Sequence, residues 1–384
     1  MKRICVVIGS RANYSSIKSA MQAIAAHPDL ELKVIAAASA LLDRYGSVVR
    51  LIEADGFEVA ARVNMLIEGE TPITMAKSTG LGLLELPTIL DQIQPDFVLT
   101  VGDRFETMAT AIAAAYMNVP LAHTMGGEVS GTIDESTRHA ITKLAHVHFP
   151  ASKDAAERIL RMGEQSEHVH TVGCPRVDLV AEILKQDAST DPNGHLMEGG
   201  VGGFVDTSKP FIIVSQHPVT TEYGQGESQI VATLQAVRES EIPAIVLWPN
   251  ADAGSEDISR GIRKMREHGE TPNMHFFKNL PIDTYVRLMA RAVCLVGNSS
   301  SGIREGCFIG TPVVNVGTRQ ANRERGANVI DVGYDKDQIR DAIAEQARHG
   351  RYGCETIYGS GNAGERIAEI LAKKSVSIQK YMTY

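Results

Sequence analysis

Ionisable side chains collect in residues 95–141, where two short apolar runs are each followed by a polar segment. The ionisable groups of these segments are Asp103, Arg104, His123, Glu128, Asp134 and Glu135. Ligands of an open parallel sheet bind outside the carboxyl ends of its strands, so these groups are expected at a ligand site. Carboxylates beside a bound ligand can remove or deliver a proton, and Asp103 and Asp134 are therefore the candidate acid and base residues.

Asp134 has a second interpretation, because a carboxylate just before a helix is a common N-cap. A helix over residues 136–144 would give it that position. Two histidine pairs, His146/His148 and His168/His170, each share one face of a predicted strand. No carboxylate or cysteine stands beside them at ligand spacing, so the sequence predicts no metal site.

Residues 9–15, GSRANYS, join a predicted first strand to a helix. Free backbone N–H groups and the helix dipole make such a turn a natural anion site, to which Arg11 adds a positive charge. The turn lacks the GxGxxG pattern, so a dinucleotide site is not indicated. The alternative is an ordinary turn with Ser15 near the N-cap.

A second turn of this kind spans residues 297–305, GNSSSGIRE. Small residues and hydroxyls after a buried strand favour a phosphate site that includes Ser299 and Ser300. Serines are also frequent N-caps, which is the alternative. Glu305, further into the helix, is a poor phosphate partner but would accept hydrogen bonds from ribose hydroxyls.

Three more polar residues lie at carboxyl ends of predicted strands in the second half of the chain. They are His217, Asn250 and Arg319. Together they would form a pocket for a nucleotide. A single histidine is more often structural, and this is the alternative for His217.

Predicted strands and helices alternate along the whole chain, which implies right-handed βαβ units and mainly parallel sheets. Residues 187–209 are rich in Gly, Asp and Ser, with few large apolar residues, and we interpret them as a linker. The alternation then starts again. The simplest architecture is two α/β domains, with the first over residues 1–186 and a cleft between them.

Composition excludes several classes of protein. The 384 residues suffice for two full cores, and the net charge of −8 argues against general nucleic-acid binding, which needs a basic surface. Five widely spaced cysteines without a CxxC pair predict a reducing compartment. No apolar run approaches the roughly 20 residues of a membrane span, and the opening MKRICVVIGSR is unlike a signal peptide. We therefore expect a cytoplasmic protein without a membrane partner.

Four segments, in this order, resemble the hydrolysing UDP-N-acetylglucosamine 2-epimerases of sialic acid and legionaminic acid synthesis. They are GDRFETMATAIAAAYMNVPLAHTMGGEVSGTIDESTRHAITKLAH, QHPVTT, GNSSSGIREG and GTPVVNVGTRQ. The similarity extends over nearly the whole chain. It implies a GT-B fold with two doubly wound Rossmann-like domains, nucleotide binding by the second (residues 210–358), and a final segment (residues 359–384) that returns to the first.

The resemblance also implies a reaction without a cofactor. A proton leaves C2, UDP departs by anti elimination, and the resulting 2-acetamidoglucal is hydrated to N-acetylmannosamine. Nucleotide contacts are implied for Arg11, Ser15, Arg104, His217, Asn250, Ser299, Ser300, Glu305 and Arg319. Asp103 and Asp134 would act as acid and base, and His217 would also assist the departing diphosphate.

The chain departs from the animal members of this family at three positions. Met125 replaces a catalytic Glu, Ser16 replaces a Lys, and Asn13 replaces an Asp. Met125 cannot move a proton, so either Glu128 takes over a proton-transfer role or the substrate differs. A 6-deoxy sugar with a bulkier C4 substituent, the UDP- or GDP-linked 2,4-diacetamido-2,4,6-trideoxyglucose of legionaminic acid synthesis, would suit the second alternative.

Three other functions are compatible with the sequence: a non-hydrolysing epimerase, a GT-B glycosyltransferase, and a sugar-nucleotide sensor without catalysis. A glycosyltransferase would leave C2 untouched and need an acceptor. Family members associate, so a homo-oligomer, a dimer or a tetramer, is expected. The Ala-rich helix over residues 107–117 would be either its interface or part of the core, which is the commoner fate of such a helix.

Overall fold

The computed structural model describes residues 1–69, 71–186, 199–249 and 252–383. Its contacts divide the chain into two compact units. Unit 1 comprises Met1–Glu128, Ile133–Leu179 and Tyr358–Tyr384, and unit 2 comprises Val129–Thr132 and Val180–Ile357. Among the described residues, no helix is both long and apolar enough to cross a membrane.

Strands and helices alternate in both units. The strands are β1 (Lys2–Ile8), β2 (Leu30–Ala37), β3 (Val59–Val63), β4 (Phe97–Val101), β5 (Leu121–Thr124), β6 (Val147–Phe149), β7 (Val201–Gly202), β8 (Ile212–Ser215), β9 (Ala244–Leu247), β10 (Met274–Phe277), β11 (Cys294–Gly297), β12 (Val313–Val316) and β13 (Val329–Val332). The helices are α1 (Arg11–Ala26), α2 (Val48–Ala54), α3 (Pro72–Ile93), α4 (Phe105–Tyr116), α5 (Asp134–Leu144), α6 (Lys153–Arg161), α7 (Pro175–Lys185), α8 (Gly226–Glu239), α9 (Ser255–Glu267), α10 (Ile282–Arg291), α11 (Ser300–Ile303), α12 (Glu305–Ile309), α13 (Lys336–His349) and α14 (Ala363–Lys373).

Unit 1 is organised around a six-stranded sheet in the order β3-β2-β1-β4-β5-β6. All its strand pairs are parallel. The central strand β4, FVLTV, is buried along its whole length because helices cover both faces of such a sheet. The order reverses between β1 and β4, so the carboxyl ends of these two strands form the topological switch point, where ligands of doubly wound sheets bind.

Unit 2 has a seven-stranded sheet in the order β13-β12-β11-β8-β9-β10-β7. Every pair is parallel except β10 with β7, which is antiparallel. The order reverses between β8 and β11, the strands that precede His217 and the serine run. The fold class predicted from the sequence, two doubly wound Rossmann-like domains, is confirmed.

The final helix packs within unit 1. Asp178 accepts the backbone N–H groups of Ala363 (3.0 Å) and Gly364 (2.7 Å), and so caps the amino end of α14. A β-carbon at Gly364 would lie 2.6 Å from the carbonyl carbon of Ser19 in α1. Helices α1 and α14 therefore approach closely at a position that only glycine allows.

The described end of the predicted linker, residues 199–209, contains a short strand. Residues 187–198 lie outside the described residues, but Gly202 of β7 pairs with His275 of β10 and extends the sheet of unit 2. Gly202 has φ of +121°, which glycine adopts without strain.

The structure differs in four places from the alternation of strands and helices that the sequence predicts. The strand predicted over residues 169–172 forms only an isolated bridge, His148 to Val169. The helix predicted over residues 301–310 is divided into α11 and α12 at Arg304, whose ψ is −67°. Helix α3 runs through Pro87, where an interruption was expected. Strand β13 was not predicted, because its four residues include the exposed Asp331 and none of them is fully buried.

A buried charge cluster lies behind β6 in unit 1. Glu164, 4% exposed, accepts hydrogen bonds from His148 Nε2 at 3.0 Å, Lys143 Nζ at 2.5 Å and Lys380 Nζ at 2.8 Å. Burial raises the pKa of the Glu164 carboxyl, but these hydrogen bonds outweigh it and lower the pKa to about 2. The carboxylate is therefore charged at neutral pH and is stabilised by its three neighbours.

Glu164 should make stability depend on acid pH. Its folded pKa lies below the unfolded value, so its contribution is fully present above the unfolded pKa and is lost as the pH falls through the folded pKa. Urea unfolding between about pH 5 and pH 2 should show a steeper loss of unfolding free energy for the native chain than for Glu164→Gln. Glu157→Gln, at an exposed ion pair with Arg161, should keep the native slope.

Candidate active site

Asp103 follows β4 and contacts a buried arginine of α5. Arg138 Nη2 donates to Asp103 Oδ2, and Arg138 Nη1 donates to the backbone oxygen of Glu128 at 2.6 Å. The side chain of Arg138 is 1% exposed and that of Asp103 is 23% exposed. One guanidinium thus fixes a partly accessible carboxylate and the loop after β5 in the same place.

His123, in β5, connects the turn after β4 with helix α5. Its Nε2 lies 2.7 Å from the backbone oxygen of Gly102, and its Nδ1 lies 3.3 Å from Thr142 Oγ1. Burial lowers the pKa of His123 to about 4, despite the opposing effect of the Gly102 carbonyl, so the ring is neutral at neutral pH. The neutral ring donates from Nε2 to Gly102 and accepts from Thr142, which orients the residue before Asp103.

Asp134 is the first residue of α5, and the N-cap position belongs to Ile133. The interpretation of Asp134 as the N-cap is therefore wrong. Asp134 and Arg138 are four residues apart and share one face of the helix, so Asp134 lies on the face that contacts Asp103. Glu128, only 3% exposed, lies in the preceding loop.

Met125 lines the inside of unit 1. It is 5% exposed and has φ of +61°, which is rare for a residue other than glycine. Its sulfur lies 3.9 Å from Cys174 Sγ, and its backbone N–H donates to Phe149 at 3.0 Å. The Met125 side chain is thus an apolar part of the interior of unit 1.

The turn after β1 is built differently from the prediction. Helix α1 begins at Arg11, and Ser10 is its N-cap, with Oγ accepting from Asn13 N–H at 3.2 Å. Ser15 is inside the helix, where its hydroxyl donates to the Arg11 carbonyl at 2.8 Å and accepts from Arg176. The alternative that put Ser15 near the N-cap is therefore wrong. No described residue bonds Arg11 Nε, and burial lowers the pKa of the Arg11 guanidinium.

Arg104 is held by a carboxylate that sequence reasoning did not select. Arg104 Nε lies 2.8 Å from Oε1 of Glu106, whose side chain is 2% exposed. A β-carbon at Gly9 would come within 2.1 Å of Glu106 Cγ, so the β1–α1 turn lies directly on this pair. Arg104 is thus positioned at the switch point of the unit 1 sheet.

Asn298 joins the strand ends of unit 2. Its Oδ1 accepts from the backbone N–H of His217 at 2.7 Å, and its Nδ2 donates to the His217 carbonyl at 2.9 Å. Its own carbonyl accepts from Arg319 Nη1 at 3.2 Å and from Gln320 Nε2 at 2.9 Å. The fully buried Asn298 therefore holds the ends of β8, β11 and β12 together, through both its side chain and its backbone carbonyl.

His217 and Arg319 have complementary electrostatic properties. Burial, together with the nearby Arg319, lowers the pKa of His217 to about 3, so the imidazole is neutral at neutral pH. Arg319 lies 4.0 Å from Asp252 Oδ2 and supplies the positive charge of this group. A neutral donor beside a fixed cation suits an anionic ligand.

Ser299 of the serine run caps a helix, which was the alternative expected for it. Ser299 is the N-cap of α11 and shares a 2.8 Å hydrogen bond with Ser301 Oγ, which in turn lies 2.7 Å from the Tyr285 hydroxyl. Ser300 begins α11, and Glu305, 3% exposed, begins α12. Asn250 lies outside the described residues.

Residues 129–132, between β5 and α5, belong to unit 2 and contact its residues 318–323. Gly131 N–H donates to the Arg319 carbonyl at 3.1 Å, and Arg323 Nε donates to the Val129 carbonyl at 3.2 Å. A β-carbon at Gly131 would lie 2.0 Å from the Thr318 oxygen, so this contact requires glycine. The turn at Arg319 is therefore held by residues 129–132 as well as by Asn298.

Arg138, Glu106 and Asn298 were not singled out from the sequence. Arg138 shares a helical face with the buried Ile141 and Thr142, and that phase was the available signal. Asn298 is the amide that precedes the serine run. The described residues contain no group of three or more His, Cys, Asp or Glu side chains that could hold a metal ion.

A family model described as UDP-N-acetylglucosamine 2-epimerase matches residues 22–372. A Legionella pneumophila protein named UDP-N,N'-diacetylbacillosamine 2-epimerase (hydrolyzing) is 34% identical over 371 residues, covering 97% of this chain and 96% of that protein. The UDP-N-acetylglucosamine 2-epimerase of Neisseria meningitidis serogroup B is 32% identical over 386 residues, covering 99% and 98%.

Solved structures of low sequence identity share the fold of this chain. The UDP-GlcNAc 2-epimerase from Neisseria meningitidis, bound to UDP-GlcNAc, has a TM-score of 0.81 at 18% identity and covers 97% of this chain and 100% of that chain. The Methanocaldococcus jannaschii enzyme in complex with UDP-GlcNAc and UDP has a TM-score of 0.82 at 17% identity, with the same coverage. The chain therefore belongs to the UDP-N-acetylglucosamine 2-epimerase family.

Proposed function

We propose that this protein is a hydrolysing 2-epimerase that converts UDP-N-acetylglucosamine and water into N-acetylmannosamine and UDP, in the synthesis of sialic-acid-type sugars. The observation that carries the proposal is the Asp103 carboxylate, held by the buried Arg138 at the switch point of unit 1. A partly exposed carboxylate with a fixed orientation suits proton transfer at a substrate carbon. The L. pneumophila relative, with "hydrolyzing" in its name, supports the hydrolytic outcome.

The proposed reaction has two steps. In the first, an acid/base residue takes the proton from C2, the bond from C1 to the diphosphate oxygen breaks, and a C1–C2 double bond forms as UDP leaves. In the second, a water oxygen bonds to C1, its proton goes to a protein base, and a proton is delivered to C2 from the opposite face. Asp103 and Asp134 act as acid and base. Glu128, in the loop between β5 and α5, is a further candidate carboxylate.

Unit 2 would hold the nucleotide. Arg319 would balance the charge of the diphosphate, while the neutral His217 would donate an N–H to the oxygen that leaves C1. Ser299 and Ser300 would contact phosphate oxygens, and Glu305 the ribose hydroxyls. In unit 1, Arg11, Ser15 and Arg104 are the proposed further contacts, and Asn250 is proposed for the nucleotide on its position in the sequence.

A second substrate is favoured by Met125. An apolar, buried side chain at the position of the family acid suits a 6-deoxy sugar that carries a second acetamido group, linked to UDP or GDP. The relative from L. pneumophila is named for a diacetylated sugar of this type, and one from Campylobacter jejuni, 29% identical, is named for its GDP- or UDP-linked form. We further propose a homo-oligomer and a reducing cytoplasm; the reducing cytoplasm is supported by five cysteines that form no disulfide.

Turnover of a panel of UDP- and GDP-linked sugars in D₂O tests the proposal. We expect release of the nucleoside diphosphate together with a free 2-epimer that carries deuterium at C2 by NMR. An intact epimerised sugar nucleotide would indicate the non-hydrolysing reaction, and transfer to an acceptor with C2 unchanged would indicate a glycosyltransferase. Nucleotide binding without any turnover would indicate a sensor. Equal turnover of the N-acetylglucosamine and diacetamido substrates would remove the argument from Met125.

A further inference from the structure

We propose that Lys380, in the segment after α14, is a positioning residue for the catalytic helix α5. The proposal rests on the epimerase reaction, because that reaction gives α5 its catalytic role. Residues 374–383, named the C-terminal strap here, lie on unit 1 and bring this lysine to the end of α5 opposite Asp134. Lys380 has no proposed contact with the substrate or with Asp103. It would therefore affect the reaction only by holding helix α5 in place.

Lys380 binds the carboxyl end of α5. Its Nζ donates to the Lys143 carbonyl at 2.8 Å and to the Ala145 carbonyl, and it contacts Glu164 Oε2 at 2.8 Å. The last carbonyls of a helix have no intrahelical donor, and a cation there also interacts favourably with the helix dipole. The C-cap residue Ala145 donates its N–H to Ile141 and Thr142, so Lys380, with its side chain 24% exposed, adds a donor for the Lys143 and Ala145 carbonyls.

The same helix carries the proposed catalytic contacts along its length. Asp134 begins it, Arg138 holds Asp103 and the Glu128 carbonyl, and Thr142 bonds the His123 ring. Helix α5 has only 11 residues, about three turns. A shift or fraying at its carboxyl end therefore reaches Thr142 within one turn and Arg138 within two.

The strap has anchors that do not depend on Lys380. Lys374 Nζ donates to the Glu167 carbonyl at 2.5 Å, the Ile378 carbonyl lies 3.1 Å from His146 Nε2, and Thr383 N–H donates to the Gly163 carbonyl at 3.0 Å. These contacts hold the strap on both sides of residue 380. Removing the ammonium group should therefore loosen α5 without releasing the strap.

The test compares Lys380→Met with Lys374→Met, a matched loss of one strap ammonium far from α5, and with Lys380→Arg, which keeps the cation. We expect Lys380→Met to lower kcat for UDP release by about 10- to 100-fold with KM changed by less than about twofold, because misplaced catalytic groups affect the transition state more than binding. Amide hydrogen exchange of residues 134–142 should become faster. Lys374→Met should change neither measurement, and Lys380→Arg should restore most of kcat.

A native kcat in Lys380→Met, or an equal loss of kcat in Lys374→Met, would overturn the proposal. The exchange measurement separates this inference from the proposed function. If the native chain releases no UDP from any sugar nucleotide, the epimerase proposal fails. Faster exchange confined to α5 in Lys380→Met would still support the link between Lys380 and this helix, whereas unchanged exchange would refute the link itself.

Discussion

Asp103→Asn should lower kcat for UDP release by about 10²- to 10⁴-fold, the usual contribution of a general acid or base. The amide keeps the shape of the side chain and an oxygen that accepts from Arg138, but it does not take up a proton at neutral pH. Binding of UDP should be unchanged, because the proposed nucleotide contacts are mainly in unit 2. Steady-state kinetics of UDP release and calorimetric titration with UDP measure the two effects separately.

Asp96→Asn is the matched control. Asp96 lies just before β4, at the opposite end from Asp103, and its Oδ2 accepts from the backbone N–H of Arg3 at 2.7 Å. An asparagine oxygen can keep that hydrogen bond, so kcat should stay at the native value. A native kcat in Asp103→Asn would contradict the proton-transfer role, and parallel losses of UDP affinity and kcat would indicate a structural role instead.

The sequence predicted most of the fold because buried parallel strands leave a strong local signal. Strand β4 is apolar along its length, and helices with good formers separate it from its neighbours. The two strands that were missed or misassigned, β7 and β13, lie at sheet edges. Both strands are short and are exposed or only partly buried, so glycine or Asp331 stands where a central strand has an apolar residue.

Strand ends could be predicted as sites, since parallel topology alone brings the carboxyl ends of neighbouring strands to one edge. The residues that orient the side chains at these strand ends could not be predicted. Arg138 shares a helical face with buried residues, but nothing in the sequence shows that this face meets Asp103, 35 residues away. Asn298 likewise acts through His217 and Arg319, which come from distant parts of the sequence.

Helix starts were misplaced by up to one turn for a related reason. Ser10 and Ser15 are both good N-caps by residue type, and only the backbone conformation selects Ser10. Asp134 shows the converse, since the helix begins one position earlier than a capping carboxylate would require. The position of a helix start decides which side chains face the site and which cap the helix backbone. An error of one turn in the start therefore changes the predicted site.

Arg138→Met should destabilise the protein by about 2–3 kcal/mol, less than the effect of breaking a fully buried ion pair, because the Asp103 carboxylate left behind is 23% exposed. Methionine fills much of the volume but removes the donor that Asp103 and the Glu128 carbonyl share. Arg161→Met, in a pair with Glu157 that is 74% and 65% exposed, should change stability by less than about 1 kcal/mol. Urea unfolding of the three chains measures this difference.

Kinetics of the same variants decide whether Arg138 also serves the reaction. Arg138→Lys keeps a positive charge but loses the planar fork that bonds two acceptors, so it should recover stability more fully than kcat. If orientation of Asp103 is the function of this residue, kcat will remain well below native in the lysine variant even where the chain is fully folded. Equal recovery of stability and kcat in Arg138→Lys would show that charge alone is sufficient, and that the geometry of the guanidinium at Asp103 has no separate role.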